Sequence, residues 1–129
     1  MEMAMSGVKL RILIVDDDPH IRRLLTLYLR DDAREVQEAA TGEEALALLN
    51  GQTFDVVLLD LILPSYSGLR LCHKIKTGHS GQATPHVIII TGHDSPEMRA
   101  TAEEYGADDF LGKPFAAQEV VTRIEALRN

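Results

Sequence analysis

Four short apolar runs in this chain of 129 residues end in polar groups that could do chemistry. Asp60 follows Val56–Leu59, and Asp16, Asp17 and Asp18 follow Leu10–Val15. Thr91 follows Val87–Ile90, and Lys113 follows Phe110-Leu111-Gly112. A carboxylate set between Leu59 and Leu61 is poorly explained by packing. If the runs are neighbouring parallel strands, these groups meet on one rim. Carboxylates gathered there repel unless protonated or neutralised by a cation. An all-oxygen, carboxylate-rich set suits Mg²⁺, with Mn²⁺ as the alternative, rather than zinc. The Thr91 hydroxyl and the Lys113 point charge are equipment for holding a phosphoryl group. An aspartate can itself be the nucleophile and form an acyl phosphate. The residue types point to phosphoryl transfer to, or from, a carboxylate.

The elements that must position these groups can be read from hydrophobic period. Leu10–Val15 is a buried strand, too short for a helix. Asp18 caps and Pro19 opens a helix over roughly 19–31, with Ile21, Leu24, Leu25 and Tyr28 on one face. Residues 34–39 form a weaker strand. Thr41 opens a second helix that Asn50-Gly51 stops. Residues 54–60 form a third strand, 64–68 a loop, and Leu69, Cys72 and Ile75 the stripe of a third helix. Residues 77–85 are a polar connection. Val87–Ile90 is the fourth strand, Ser95-Pro96-Glu97 starts a fourth helix reaching about Tyr105, and 109–112 is a short fifth strand. Val120, Val121, Ile124 and Leu127 define the closing helix. Alternation of strand and helix predicts an α/β fold of (βα)5 type, a doubly wound five-stranded parallel sheet in a single domain. Ligands of such sheets bind outside the carboxyl ends of the strands.

Composition narrows the classes. A net charge of −7 argues against direct nucleic-acid binding by this domain. Cys72, the single cysteine, excludes an internal disulfide and a thiolate metal cluster. No apolar stretch spans a membrane and no signal peptide opens the chain, which predicts a cytoplasmic setting. Residues 1–8 read as a disordered leader or expression remnant, and 9–129 as the domain.

The segments VDDDPHIRRLL, VVLLDLILP, IIITG and GADDFLGKPF resemble, in order and spacing, the signature segments of two-component response regulator receiver domains. The resemblance implies a strand order of 2-1-3-4-5 and makes Asp60 the phosphoacceptor. It implies a Mg²⁺ site of Asp16, Asp17, Asp60 and the Ile62 backbone carbonyl, with Lys113 pairing to the phosphoryl group. Thr91 and Phe110 become the switch pair, and Lys113-Pro114 is expected to be cis. Ile62 and His93, two past Asp60 and Thr91, border the path of attacking water and would tune the lifetime of the phosphorylated state. The chain departs from the family in carrying Ser67 where an Asp usually precedes Gly68, and Phe110 where Tyr is common.

The function so implied is a phosphoacceptor signalling domain that catalyses only its own phosphorylation and dephosphorylation. A sensor histidine kinase or phosphotransfer protein donates to Asp60. Thr91 then moves to the phosphoryl oxygen, Phe110 turns inward, and the 95–128 face changes for an output domain, a partner protein or a homodimer mate. The blander readings fall elsewhere: Asp18 as a helix cap, His20, His73, His79 and His86 as solvated groups, Cys72 as core. Asp108, Asp109 and Arg123 read as a solvated charge pattern or as pairs across a dimer. A degenerate receiver used as a docking module is the alternative, and the intact set of five residues argues against it. A haloacid-dehalogenase-type phosphatase would use Asp16-Asp17-Asp18 but needs a larger cap and leaves Asp60 unexplained. A flavodoxin-type module would meet acid repulsion at its phosphate.

Overall fold

Burial dictates the core of this fold: Ile12–Val15, Val56–Leu59 and Val87–Ile90 are apolar on both faces, and all are buried. A computed structural model of the chain describes residues 9–78 and 84–127. The expected leader (1–8), His79 with most of the 77–85 connection, and 128–129 lie outside these.

The strands are β1 (Leu10–Val15), β2 (Arg34–Ala39), β3 (Val56–Leu59), β4 (Ile62–Leu63), β5 (Tyr66–Ser67), β6 (His86–Thr91) and β7 (Asp109–Gly112). The helices are α1 (Pro19–Leu29), α2 (Gly42–Gly51), α3 (Gly68–Thr77), α4 (Pro96–Glu104) and α5 (Ala117–Ala126). Five strands form one sheet in the order β2-β1-β3-β6-β7, and every pairing in it is parallel. Counting only those strands, this is the order 2-1-3-4-5. The register sets Val15 beside Ala39 and Leu59, and Leu59 beside Ile89, so the carboxyl ends are level.

Because strand side chains alternate faces, the sheet carries two cores. Leu13, Val15, Val57, Leu59, Val87 and Ile89 meet Ala45 of α2, Leu71, Cys72 and Ile75 of α3, and Ala102 of α4. Ile12, Ile14, Val56, Leu58, Ile88 and Ile90 meet Leu25 and Leu29 of α1 and Val120 and Ile124 of α5. Four helices start where a side chain accepts a backbone N–H: Asp18 from His20, Thr41 from Glu44, Ser67 from Arg70 and Ser95 from Met98. Each such cap stabilises by about 1 kcal/mol. Helix α1 ends at Leu29, short of the expected 31, because Arg30 turns extended and Asp31 accepts the Ala33 N–H at 2.7 Å.

The expected loop over 64–68 is more ordered than the sequence suggests. Ile62–Leu63 and Tyr66–Ser67 pair antiparallel as a tight hairpin, with Ser65 at φ 63° in its bend. Gly68 closes it back on the sheet through its N–H to the Leu61 carbonyl, 3.0 Å away. A Cβ at position 68 would stand 2.5 Å from Leu61 Cα and 2.6 Å from the Asp60 carbonyl, so only glycine allows this approach. Among the described residues no helix is long and apolar enough to cross a membrane.

Candidate functional site

The first residue beyond a parallel strand still feels its neighbour's ladder, and this fixes both central acids. The Asp16 N–H donates to the Ala39 carbonyl at 3.2 Å, and the Asp60 N–H to the Val15 carbonyl at 3.0 Å. At the other side the Lys113 N–H reaches the Thr91 carbonyl at 2.8 Å, extending β6 and β7 by one step. The Lys113-Pro114 bond that follows is cis, as the sequence resemblance leads one to expect.

From these anchors the side chains converge. Lys113 Nζ stands 2.7 Å from Asp16 Oδ2 and 3.0 Å from Asp60 Oδ2. Asp16 Oδ1 accepts from the Asp18 N–H at 2.9 Å, and Asp60 Oδ1 from the Ile62 N–H at 3.2 Å. Carboxylate oxygens of Asp16, Asp17 and Asp60 all lie within 4.8 Å of one another, a group that could hold a metal ion. Asp16 and Asp60 are 3% and 7% exposed, whereas Asp17 faces solvent.

One ammonium serves the two buried carboxylates, and the exposed Asp17 adds a third charge beside them, so the cluster carries excess negative charge that is partly shut off from water. Burial holds the Asp16 carboxyl above its ordinary value, even against the hydrogen bonds from Lys113 and Asp18 that pull it down. Burial pulls Lys113 down as well, yet its hydrogen bonds to Asp16 and Asp60 outweigh that and leave its affinity for the proton raised. An oxygen-only, over-negative cluster fits a hard divalent cation and repels an anion unless that charge is first neutralised.

Thr91 is fully buried, and its hydroxyl oxygen accepts from the His93 N–H at 3.4 Å. No hydrogen bond joins that hydroxyl to Asp60 or Lys113 among the described residues. His93 itself is exposed, and the Ile62 side chain is 53% exposed at the rim. Phe110 is only 6% exposed and belongs to the core beside α3 and α4. Its ring already points inward, the position that the sequence reading reserves for the phosphorylated state.

Two arginines escaped the sequence reading. Arg22 on α1 donates to the Asp16 carbonyl at 2.7 Å and pairs with Glu38, so it props the acidic loop from behind. Arg99 on α4 sits 4.9 Å from the centre of the Phe110 ring and forms two hydrogen bonds with Asp94, at 2.7 and 3.0 Å. That hydrogen-bonded pairing holds the Asp94 carboxyl below its ordinary value. Long, flexible side chains reach partners that no spacing rule foretells. Asp109 and Arg123 pair within the chain at 2.6 Å, and Asp108 takes Lys76 at 2.7 Å.

Comparison with known proteins agrees with the fold. The chain belongs to the response regulator receiver domain family, whose profile matches residues 12–125. These are signal-transduction domains of two-component systems. It is 39% identical over 117 residues to the transcriptional regulatory protein ResD of Bacillus subtilis (strain 168), covering 91% of this chain and 47% of ResD. It is 40% identical over 116 residues to the transcriptional regulatory protein SrrA of Staphylococcus aureus (strain NCTC 8325 / PS 47), covering 90% of this chain and 46% of SrrA. The chain thus spans less than half the length of these relatives. Among solved structures, a CheY-like receiver domain from Methanospirillum hungatei superimposes with a TM-score of 0.84 at 33% identity, over 93% of this chain and 94% of that one. The response regulator DrrB of Thermotoga maritima, an OmpR/PhoB homologue, gives 0.83 at 32%, over 94% of this chain and 53% of that one.

Proposed function

We propose that the domain stores a signal as an acyl phosphate on Asp60, taken from a phosphohistidine of a sensor histidine kinase or phosphotransfer protein. The observation that carries this reading is the place of Asp60. It ends β3, the middle strand, with Asp16 and Asp17 from β1 on one side and Thr91 and Lys113 from β6 and β7 on the other. An Asp60 oxygen attacks phosphorus, the new O–P bond forms as the N–P bond breaks, and the imidazole leaves to take up a proton. Bound to Asp16, Asp17, Asp60 and the Ile62 carbonyl, Mg²⁺ would supply charge neutralisation for the phosphoryl oxygens. Lys113 holds its ammonium 3.0 Å from Asp60 Oδ2, placed to pair with those oxygens. The Ile62 N–H, on Asp60 Oδ1, fixes the carboxylate plane. Catalysis here is mostly positioning.

Output in this reading runs through Thr91 and Phe110. The Thr91 hydroxyl, whose hydrogen bond among the described residues is the long one it accepts from the His93 N–H, leaves it for a phosphoryl oxygen. Phe110 already lies inward, so phosphorylation biases a packing that the unmodified chain can adopt. The 95–128 face then presents α4 and α5 to an output domain, a partner protein or a second copy. Exposed Ile62 and His93 border the approach of water and set how long the phosphoryl group lasts. The setting is cytoplasmic, where such a kinase would present its phosphohistidine.

The test is labelling of the purified chain with a small phosphodonor such as acetyl phosphate. Mg²⁺-dependent, hydroxylamine-sensitive incorporation that disappears in Asp60→Asn supports the reading. Absence of label in the wild type leaves a docking module as the better account, and equal label in Asp60→Asn removes Asp60 from its role.

A further inference from the structure

The charge of this protein is unevenly laid out. All twenty of its acids lie outside residues 61–93, a stretch that contains Arg70, Lys74 and Lys76. Lys76 is committed to Asp108 and to the Pro85 carbonyl. Arg70 and Lys74 are exposed on the outer face of α3 and have no ion pair among the described residues. With His73 and Thr77 they line a groove of about 310 Å³ walled by Tyr66 and Tyr105. Among the described residues no carboxylate lines it.

Helix stability accounts for half of this pattern. Lys74 lies in the last turn, where the helix dipole favours a cation. Arg70 lies in the first turn, three past the Ser67 cap, where the same dipole favours an acid. A cation kept against its helix needs another reason. Its guanidinium stands over the Tyr66 ring, 6.0 Å from the ring centre, and both side chains line the groove. The walls are built rather than loose. A Cβ at Gly42 would come within 2.8 Å of Tyr66 Cβ and Cγ, so Tyr66 is seated hard on α2. Tyr105 is braced edge-on by His73, with ring centres 6.1 Å apart.

We infer that this face of α3 docks a short acidic segment of a partner protein, lying extended between Tyr66 and Tyr105. Arg70 and Lys74 are four residues apart on a helix, which separates their Cβ atoms by about 6 Å. Alternate side chains of an extended chain repeat at about 6.6 Å on one face. Two carboxylates with a single residue between them therefore match the two cations, and the phenol rings cover the flanking backbone. The segment must be short. Glu103 and Glu104 directly precede Tyr105 in the chain, and a long uniform polyanion such as nucleic acid that continued past Tyr105 would meet their repulsion. The docking does not depend on phosphorylation of Asp60.

An array of decapeptides tests it, each with two glutamates separated by zero to three neutral residues, probed with the whole chain at about 0.15 M salt. Retention should peak at one intervening residue and weaken roughly tenfold in the Arg70→Ala/Lys74→Ala double variant. Amide shifts of the unmutated protein on adding the best peptide should concentrate in 66–77 and at Tyr105, a readout independent of how the variant folds. Retention that ignores spacing, or shifts centred elsewhere, overturns the inference. So does tighter binding of a ten-nucleotide oligothymidylate, which would make this a nucleic-acid surface, or displacement by millimolar phosphate, which would make it a small-anion site.

Discussion

Asp16→Asn separates two accounts of the acidic rim that predict opposite signs. With these carboxylate oxygens within 4.8 Å of one another and an effective dielectric near 20, a pair of full like charges repels by about 3 kcal/mol or more. Lys113 offsets part of this, but it is one ammonium between Asp16 and Asp60, and burial still dominates at Asp16. Asparagine keeps the oxygen that accepts from the Asp18 N–H and removes the charge. Without divalent cations the variant should be more stable by about 1 kcal/mol. For a domain of this size that raises Tm by roughly 4 °C. With Mg²⁺ at about ten times its dissociation constant the wild type should gain about 1.4 kcal/mol, and the variant little. The ranking then closes or reverses. The folded-state pKa of Asp16 is raised above its ordinary 3.8, so its contribution to stability is full below that value and lost as pH rises through the raised one. The advantage of the variant should therefore shrink on acidification into the ordinary carboxylate range. Thermal melts in EDTA and in Mg²⁺, at neutral and acid pH, read all of this. If the variant instead loses about 3 kcal/mol or more in EDTA, Asp16 is half of a satisfied buried pair and the reasoning fails.

Lys113→Ala should act the other way, since it leaves Asp16 and Asp60 buried and uncompensated: about 3 kcal/mol less stable in urea melts without metal, partly recovered by Mg²⁺. Unchanged stability would deny that the lysine neutralises the rim. Gly68→Ala forces a Cβ to 2.5 Å from Leu61 Cα, so it should cost about 2 kcal/mol and slow phosphorylation by displacing the hairpin behind Asp60. A neutral result would mean that the approach of α3 is soft. Cys72 is fully buried, and burial pushes its thiol up to about 11. It should react with thiol reagents at neutral pH only as fast as the domain opens, and rapid labelling of the native protein would contradict its core placement.

Much of the architecture is written in period. Doubly buried strands show as unbroken runs such as Val56–Leu59, and their polar ends mark the rim, so the sequence alone places Asp16, Asp60 and Thr91 there. Lys113 is more faintly legible, because Phe110-Leu111 is a short run with which to announce a strand, and the resemblance of its segment is what pairs it with the phosphoryl group. The hairpin over 62–67 stayed hidden because Pro64-Ser65 reads as a loop and two residues per strand leave no alternation to see. Arg22 and Arg99 were missed for a different reason. Their partners, the Asp16 carbonyl and the Phe110 ring, are set by tertiary packing, and an arginine on a helix surface is otherwise unremarkable. The inward ring of Phe110 is a choice between rotamers, on which composition and spacing are silent.

The central claim is that one atom group, the Asp60 carboxylate, becomes an acyl phosphate. Borohydride reduces an acyl phosphate to an alcohol, so treating the phosphorylated chain and mapping its peptides by mass spectrometry reports the acceptor directly. The account predicts homoserine at position 60, dependent on both phosphodonor and Mg²⁺. Reduction at Asp16 or Asp17 instead, with Asp60 intact, would contradict it.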